Sequence, residues 1–482
     1  MNKKMIRYIV GSIIMLEAAL LLLPILTAIV YGEWNTLRVF AGSALFCIVA
    51  GALLRGKKPE NTTIFSVEGY VSVALCWVAL SICGAIPLCV SGVLQNPFDA
   101  FFEIVSGFTT TGSSVMQSVE GAPRAILMWR SFSHWVGGMG VLVFMLALLP
   151  MAGPSSMHLM KAESPGPSVG KLVPKVRSTA KILYQIYFVL TVVMLVCMIL
   201  TGCPLFDSIN LTFATAGTGG FGVLDSSAAE YGAATQWVMT IFMILFGVNF
   251  NVYFLFYVKR FKEGMKSEEA RAYLGIIASA VLLISVNIFY MVRNLELTVR
   301  QAAFQVASII TTTGFSSVDF DLWPEFSKGI LVLLMFCGAC AGSTGGGIKV
   351  SRLCIMAKTV MKELAFIIHP RNVRKTRFEG KTVEHEVLRS INVFLVAYLG
   401  IFVLSVMLIS LDNFDFTTNF TAVAATLNNI GPGLAKVGPT QNFGIYSNFS
   451  KLVLAFDMLA GRLEIFPMLV PMIYLLRKKQ LS

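Results

Sequence analysis

The sequence predicts an all-α polytopic membrane protein, built as four pseudo-symmetric helix/pore-loop/helix repeats around one pore, with two extra N-terminal transmembrane helices ahead of them. Three observations predict it. The 482-residue chain is 56% hydrophobic and only 13% charged, with a mean hydropathy of +0.74, far outside the range of soluble globular domains. Apolar runs of bilayer length, about 20 helical residues for a hydrocarbon core of about 30 Å, recur near 8–30, 37–54, 69–93, 124–150, 182–202, 236–258, 272–292, 328–360, 389–411 and 449–476. Between them one short pattern, a threonine- or asparagine-rich step onto glycine, occurs four times.

Ten crossings place both termini on one side. The segments 1–7, 55–58, 151–181, 259–271, 349–389 and 477–479 hold 29 of the 38 lysines and arginines and all fall on one face. The positive-inside rule makes that face cytoplasmic. The net charge of +12 then follows from topology and calls for no nucleic acid. The first run follows Lys3, Lys4 and Arg7 but is too long for a signal peptide and lacks a cleavage pattern, so it reads as a retained helix. The nine cysteines sit almost entirely in apolar runs, which argues against a disulfide framework. Cys337 to Cys340 spell C-x-x-C, yet a redox motif belongs beside a strand in a soluble domain, and small packing residues are the better reading.

The four copies read FFEIVSGFTTTGSSV from 101, SINLTFATAGTGGFGV from 208, AFQVASIITTTGFSSV from 303 and FTAVAATLNNIGPGL from 420. Aligned on the threonine–glycine step, the equivalent glycines are Gly112, Gly219, Gly314 and Gly431. In the second copy Gly217 competes with Gly219, which keeps the length of the apolar approach. Each approach is too short to span and has the length of a re-entrant half-helix. Backbone that leaves helical geometry at membrane depth must be buried in protein or line a water-filled cavity.

A ring of backbone carbonyls can replace the hydration shell of an alkali cation without fixed charge. Glycine reaches the backbone angles that turn a carbonyl inward, and each half-helix aims its negative C-terminal end at the ion. The candidate filter is therefore Thr110, Thr111, Gly112, Thr218, Gly219, Thr312, Thr313, Gly314, Asn429, Ile430 and Gly431. No carboxylate stands at the glycine step, which favours a monovalent cation. Asp99, Glu103, Asp207, Asp319, Asp321, Asp412 and Asp415 stand at the entrances, to concentrate cations or to cap helix starts. Gly217, Gly219 and Gly222 match G-x-G-x-x-G but follow no strand, and GSTGGGIKVS from Gly342 breaks the P-loop pattern at Ile348. Plain turns would explain one or two glycines, not four copies.

Residues 337–352, CGACAGSTGGGIKVSR, interrupt a run too long for one crossing. Each glycine costs a helix about 1 kcal/mol relative to alanine, so the segment predicts a broken helix. Gly338, Ala339, Gly342, Ser343, Thr344, Gly345, Gly346, Gly347 and Lys349 are candidates for a gate, against a close helix-packing surface. Arg462 lies deep in the last run beside Asp457 and Glu464; it either forms a structural ion pair with one of them or lines the path. His134 has no metal-ligand spacing and reads as a packed histidine.

The four loops, HWVGGMGV at 134–141, GACAGSTGGGIKVSR at 338–352 and AGRLEIFP at 460–467 together resemble the TrkH-type membrane subunits of bacterial potassium uptake systems, in the Trk/Ktr/HKT superfamily. The resemblance covers essentially the whole chain. It implies a pseudo-fourfold pore for potassium, the permeant ion, with the four glycines at the filter; a glycine in the first loop matches the potassium-selective members, whereas a serine there is associated with sodium permeation. It implies that 338–349 is an intramembrane gating loop with Arg462 beside it. It also implies a homodimer in the bacterial inner membrane, on a cytoplasmic nucleotide-binding regulatory subunit, a TrkA-like ring, with basic segments 151–181 and 349–389 as docking surfaces. Nothing in the chain suggests an organic cofactor or an enzyme's polar cluster. The expected division is 1–60 for the two N-terminal helices, then repeats at 61–160, 161–262, 263–380 and 381–482. The alternative is a potassium symporter coupled to a proton or sodium gradient; symporters use broken helices too, but with inverted repeats, whereas these loops enter from one face.

Overall fold

The computed structural model describes residues 1–61, 64–140, 176–370 and 375–480. The predicted boundary at 160, the second half of the run 124–150, His158 and basic residues 151–175 lie outside the described residues.

Helices α1 (Lys3–Leu20) and α2 (Leu22–Val30) form one apolar span offset at Leu21, and α3 (Trp34–Arg55) returns antiparallel to it. Gly11 and Gly51 let α1 and α3 touch: a Cβ at Gly51 would lie 2.9 Å from the Gly11 carbonyl oxygen, the close approach that small residues permit in a membrane. Glu33, between α2 and α3, accepts the N–H of Arg124 at 2.6 Å and so ties this pair to the first repeat.

Each repeat opens with a 25-residue helix: α4 (Ser66–Val90), α7 (Val176–Leu200), α12 (Glu268–Val292) and α16 (His385–Ile409). At about 1.5 Å per residue each spans the apolar core with length to spare. A short half-helix follows: α5 (Pro97–Phe108), α8 (Leu205–Ala216), α13 (Leu295–Ile310) and α17 (Phe416–Leu427). Asn96, Asn294 and Asp415 cap three of them through side-chain oxygens, as orphan N–H groups at a helix start require.

The second helices differ from expectation. Only the run 328–360 was expected to break, whereas 236–258 and 449–476 also divide. The first repeat supplies α6 (Arg124–Gly138); the second α9 (Ala233–Gly247) and α10 (Phe250–Tyr257), bent by 88°. After the short α11 (Phe261–Met265), the third repeat supplies α14 (Glu325–Cys337) and α15 (Val350–Ile368); the fourth supplies α18 (Asn448–Arg462) and α19 (Phe466–Gln480). The last break runs through Glu464 (φ 55°) and Ile465 (φ 71°), left-handed residues that local sequence disfavours and tertiary packing imposes. A two-stranded hairpin, β1 (Arg377–Phe378) with β2 (Lys381–Thr382), links α15 to α16. Among the described residues six helical spans are long and apolar enough to cross a membrane, and the bent pair α9–α10 makes a seventh.

Candidate functional site

The four loops after the half-helices share one backbone. Thr110 (φ 57°), Thr218 (56°), Thr312 (60°) and Asn429 (56°) are left-handed, and two residues on so are Gly112 (83°), Gly220 (81°), Gly314 (84°) and Gly431 (106°). Between them, the N–H groups of Thr111, Gly219, Thr313 and Ile430 donate to the carbonyls of Ser106, Ala214, Ser308 and Ala425 at 2.8–2.9 Å, each five residues back. The second repeat is thereby shifted by one residue from the predicted alignment. Gly220, not Gly219 or Gly217, takes the place of Gly112; Gly219 is the counterpart of Thr111, and Thr218 that of Thr110.

The shift has a physical reason. His134 of α6 packs its imidazole where a side chain at Gly219 would go, so that a Cβ there would collide with the ring. Its Nδ1 lies 2.7 Å from the Gly107 carbonyl, and its Nε2 accepts the Phe221 N–H at 3.3 Å. The expected packed histidine is thus a brace between the first and second loops.

The loops close a ring. A Cβ at Gly112 would collide with the Gly219 carbonyl, at Gly220 with that of Thr313 and at Gly314 with that of Ile430; at Gly431 it would lie 2.9 Å from that of Thr111. Each repeat abuts the next and the fourth returns to the first. All four glycines line one cavity, with Asp225 among the other residues of its wall. Glycines also set the half-helix positions from behind: a Cβ at Gly137 would collide with the Phe108 carbonyl and one at Gly461 with that of Leu427, the last residues of α5 and α17.

Beneath the ring lies the segment 338–349, which is folded rather than loose. Gly338, Gly342, Gly347 and Lys349 have positive φ, and Ala339, Ser343, Thr344 and Lys349 are buried. The Cys340 N–H donates to the Gly247 carbonyl at 3.0 Å and the Gly342 carbonyl accepts from Phe250 at 3.1 Å, so the segment pairs with the break in the second repeat. The Gly346 N–H donates to Thr312 Oγ1 at 2.7 Å, Lys349 Nζ donates to the Gly345 carbonyl, and a Cβ at Gly345 would lie 2.8 Å from the Thr311 carbonyl oxygen.

Arg462 crosses under the same ring. Its Nη1 donates to Thr110 Oγ1 at 3.2 Å and to the Thr344 carbonyl at 2.7 Å; its Nη2 donates to the carbonyls of Gly137 and Gly138. The two expected ion-pair partners are engaged elsewhere: Glu464 pairs with Arg352 at 2.6 Å, and Asp457 accepts from Ser405 at 2.7 Å.

Glu269, at the start of α12, is a residue that sequence reasoning missed. Its buried carboxylate accepts the N–H of Ala341 at 2.6 Å, the N–H of Ser351 at 3.1 Å and Asn249 Nδ2 at 3.1 Å. One side chain thus clasps the segment, the start of α15 and the break between α9 and α10. Its signal in the sequence was only a glutamate flanking an apolar run.

The entrance acids prove mainly structural. Glu103 is buried and paired with Arg130 at 2.8 Å, Asp99 with Lys451 at 2.6 Å, and Asp207 accepts from Tyr231 at 3.0 Å. Asp319 accepts the Asp321 N–H and Asp412 the Ser447 N–H. Asp415 caps α17, where the Thr418 hydroxyl and N–H hold its carboxyl below the usual carboxylate range. Asp225 lines the cavity instead, accepting the Val119 N–H at 2.7 Å.

Fold and site define a class: polytopic membrane proteins in which one chain supplies all four quarters of a central ring. The TrkH family model, described as a cation transport protein, matches residues 36–482. A Trk system potassium uptake protein TrkH from Salmonella typhimurium is 34% identical over 480 residues, 98% of each chain, and the TrkG protein of Escherichia coli is 30% identical over 472 residues, 97% of each. The crystal structure of the potassium transporter TrkH from Vibrio parahaemolyticus matches with a TM-score of 0.88 at 32% identity, covering 98% of both chains. The chain belongs to the TrkH family of cation transport proteins.

Proposed function

We propose that the protein carries potassium across the bacterial inner membrane, both termini cytoplasmic, as a gated, channel-like pathway. The observation that carries this reading is the ring: four loops with matched left-handed residues and matched five-back hydrogen bonds, each abutting the next. Such a ring presents backbone oxygens around an axis, which suits a dehydrated monovalent cation. The relatives are named for potassium uptake.

In this reading the filter comprises Thr110–Gly112, Thr218–Gly220, Thr312–Gly314 and Asn429–Gly431. The segment 338–349 and Arg462 form the gate, because both bond to side chains of that ring from beneath. A cation leaving the ring meets the Arg462 guanidinium, whose charge opposes passage until the segment moves. Glu269 holds the segment in place. Regulation through a TrkA-like nucleotide-binding subunit and assembly as a homodimer belong to the same proposal, with the basic stretches 151–181 and 349–389 as the docking surfaces.

Reversal potentials of the purified protein in planar bilayers test the pathway. In symmetric potassium with a proton or sodium gradient, a channel gives a reversal potential of zero. A shift that tracks the second gradient supports the symporter instead.

A further inference from the structure

The geometry points to a structural zinc-class metal site within the membrane, formed by Glu17 of α1, Cys47 of α3 and Cys83 of α4. It stands apart from the ring and from the transport reading. The three side chains come from three helices and are buried, and their carboxylate oxygen and two Sγ atoms all lie within 4.8 Å of one another.

Glu17 is the independent observation that points to a ligand. It is fully buried, about 21 Å along α1 from Lys3 at about 1.5 Å per residue, and neither carboxylate oxygen has a hydrogen-bond partner among the described residues. An ionised carboxylate stripped of water and left unpaired costs several kcal/mol, so this one must either keep its proton or pair with a cation. Gly84 leaves room for it: a Cβ there would lie 2.8 Å from Glu17 Oε1. A cation held between Glu17 and the two sulfurs would supply the missing partner.

The donor set selects the ion. Two thiolates with one carboxylate, whose two unpartnered oxygens can fill the third and fourth positions, suit a borderline, tetrahedral d10 cation such as Zn2+, whereas Mg2+ and Ca2+ take oxygen ligands alone. With Zn–S near 2.3 Å, the two sulfurs of a tetrahedral site stand about 3.8 Å apart, so binding draws the ligands in by up to about 1 Å. Coordination displaces the two thiol protons, together with the carboxyl proton wherever Glu17 carries one, as the metal enters. Bound there, the ion would staple the two N-terminal helices to α4, whose Gly84 abuts Ile104 and Phe108 of the first half-helix.

The test is metal analysis of the full chain, purified reduced and without a nickel column. We expect about one zinc per chain in the wild type, lost in Cys47→Ser/Cys83→Ser and reduced in Glu17→Gln. Cadmium loading of the wild type should give a thiolate-to-cadmium charge-transfer band, which needs no variant to fold. A wild type that purifies without zinc and shows no such band overturns the proposal, as does zinc content unchanged in the variants.

Discussion

Repeats 1 and 3 differ from repeats 2 and 4 behind a backbone that all four share. In repeat 1, Thr109 and Thr111 hydrogen-bond to each other through Oγ1 at 2.8 Å, and in repeat 3 Thr311 and Thr313 do the same at 2.7 Å. Repeat 2 has Gly217 and Gly219 at those positions, with His134 filling the space, its backbone carbonyl against Gly217 and its ring against Gly219. Repeat 4 has Asn428 and Ile430; Asn428 accepts from Tyr398 at 3.0 Å, and Asn429 Nδ2 donates to Thr111 Oγ1 and to the Met458 carbonyl, both at 2.9 Å. The main chain therefore carries the fourfold geometry, and different side-chain devices hold it in each quarter. What a symmetric ring requires is equal dihedral angles, not equal residues.

The comparison breaks most visibly in repeat 2. Gly220→Ala places a Cβ against the Thr313 carbonyl at φ 81°, a strain of about 1–3 kcal/mol before any clash, and should strongly reduce potassium flux in proteoliposomes. Gly219→Ala should also impair flux, but His134→Ala should partly restore it, because the three atoms nearest to a Cβ there all belong to the imidazole. Gly220→Ala gains nothing from His134→Ala. Equal rescue of both would return the second filter position to Gly219.

The clasp comes next in size. Glu269→Ala leaves the Ala341 and Ser351 N–H groups unpaired, and losing hydrogen bonds to a charged group costs about 1.5–3 kcal/mol each. Flux without a cytoplasmic partner should rise roughly tenfold or more, and Arg462→Ala should act in the same direction. Unchanged basal flux in a folded Glu269→Ala protein would remove the residue from the gate.

The smallest effect sharpens the likeness of repeats 1 and 3. Thr111→Val and Thr313→Val each remove one buried hydroxyl pair, worth about 1 kcal/mol, and thermal melts should shift similarly for both. Thr111→Val should lose slightly more, since it also deprives Asn429 of an acceptor.

The membrane class, the fourfold repetition, the half-helices and the broken third repeat were legible because each rests on local pattern: apolar run length, the TTTG step and consecutive glycines. The register of repeat 2 was not, because Gly219 is small for the sake of His134, 85 positions earlier in the chain. The break at Glu464 and Ile465 was hidden by residues that do not favour left-handed backbone. Glu269 was hidden because its three partners come together only when 338–349 folds back onto α9 and α10. Which role each entrance acid takes was not legible, since a carboxylate before a helix serves a cap or a distant basic partner as readily as a passing cation, and the partners Arg130 and Lys451 come from other helices.

In the proposed pathway a ring closed by Gly112, Gly220, Gly314 and Gly431 selects the cation. The potassium-to-sodium permeability ratio of Gly112→Ser, read from bi-ionic reversal potentials, tests it most directly. With φ 83° and the Gly219 carbonyl against its Cβ position, the substitution should deform the ring, and the ratio should fall about tenfold, a change of about 1.4 kcal/mol in discrimination. A folded, conducting Gly112→Ser protein with the wild-type ratio would contradict the account.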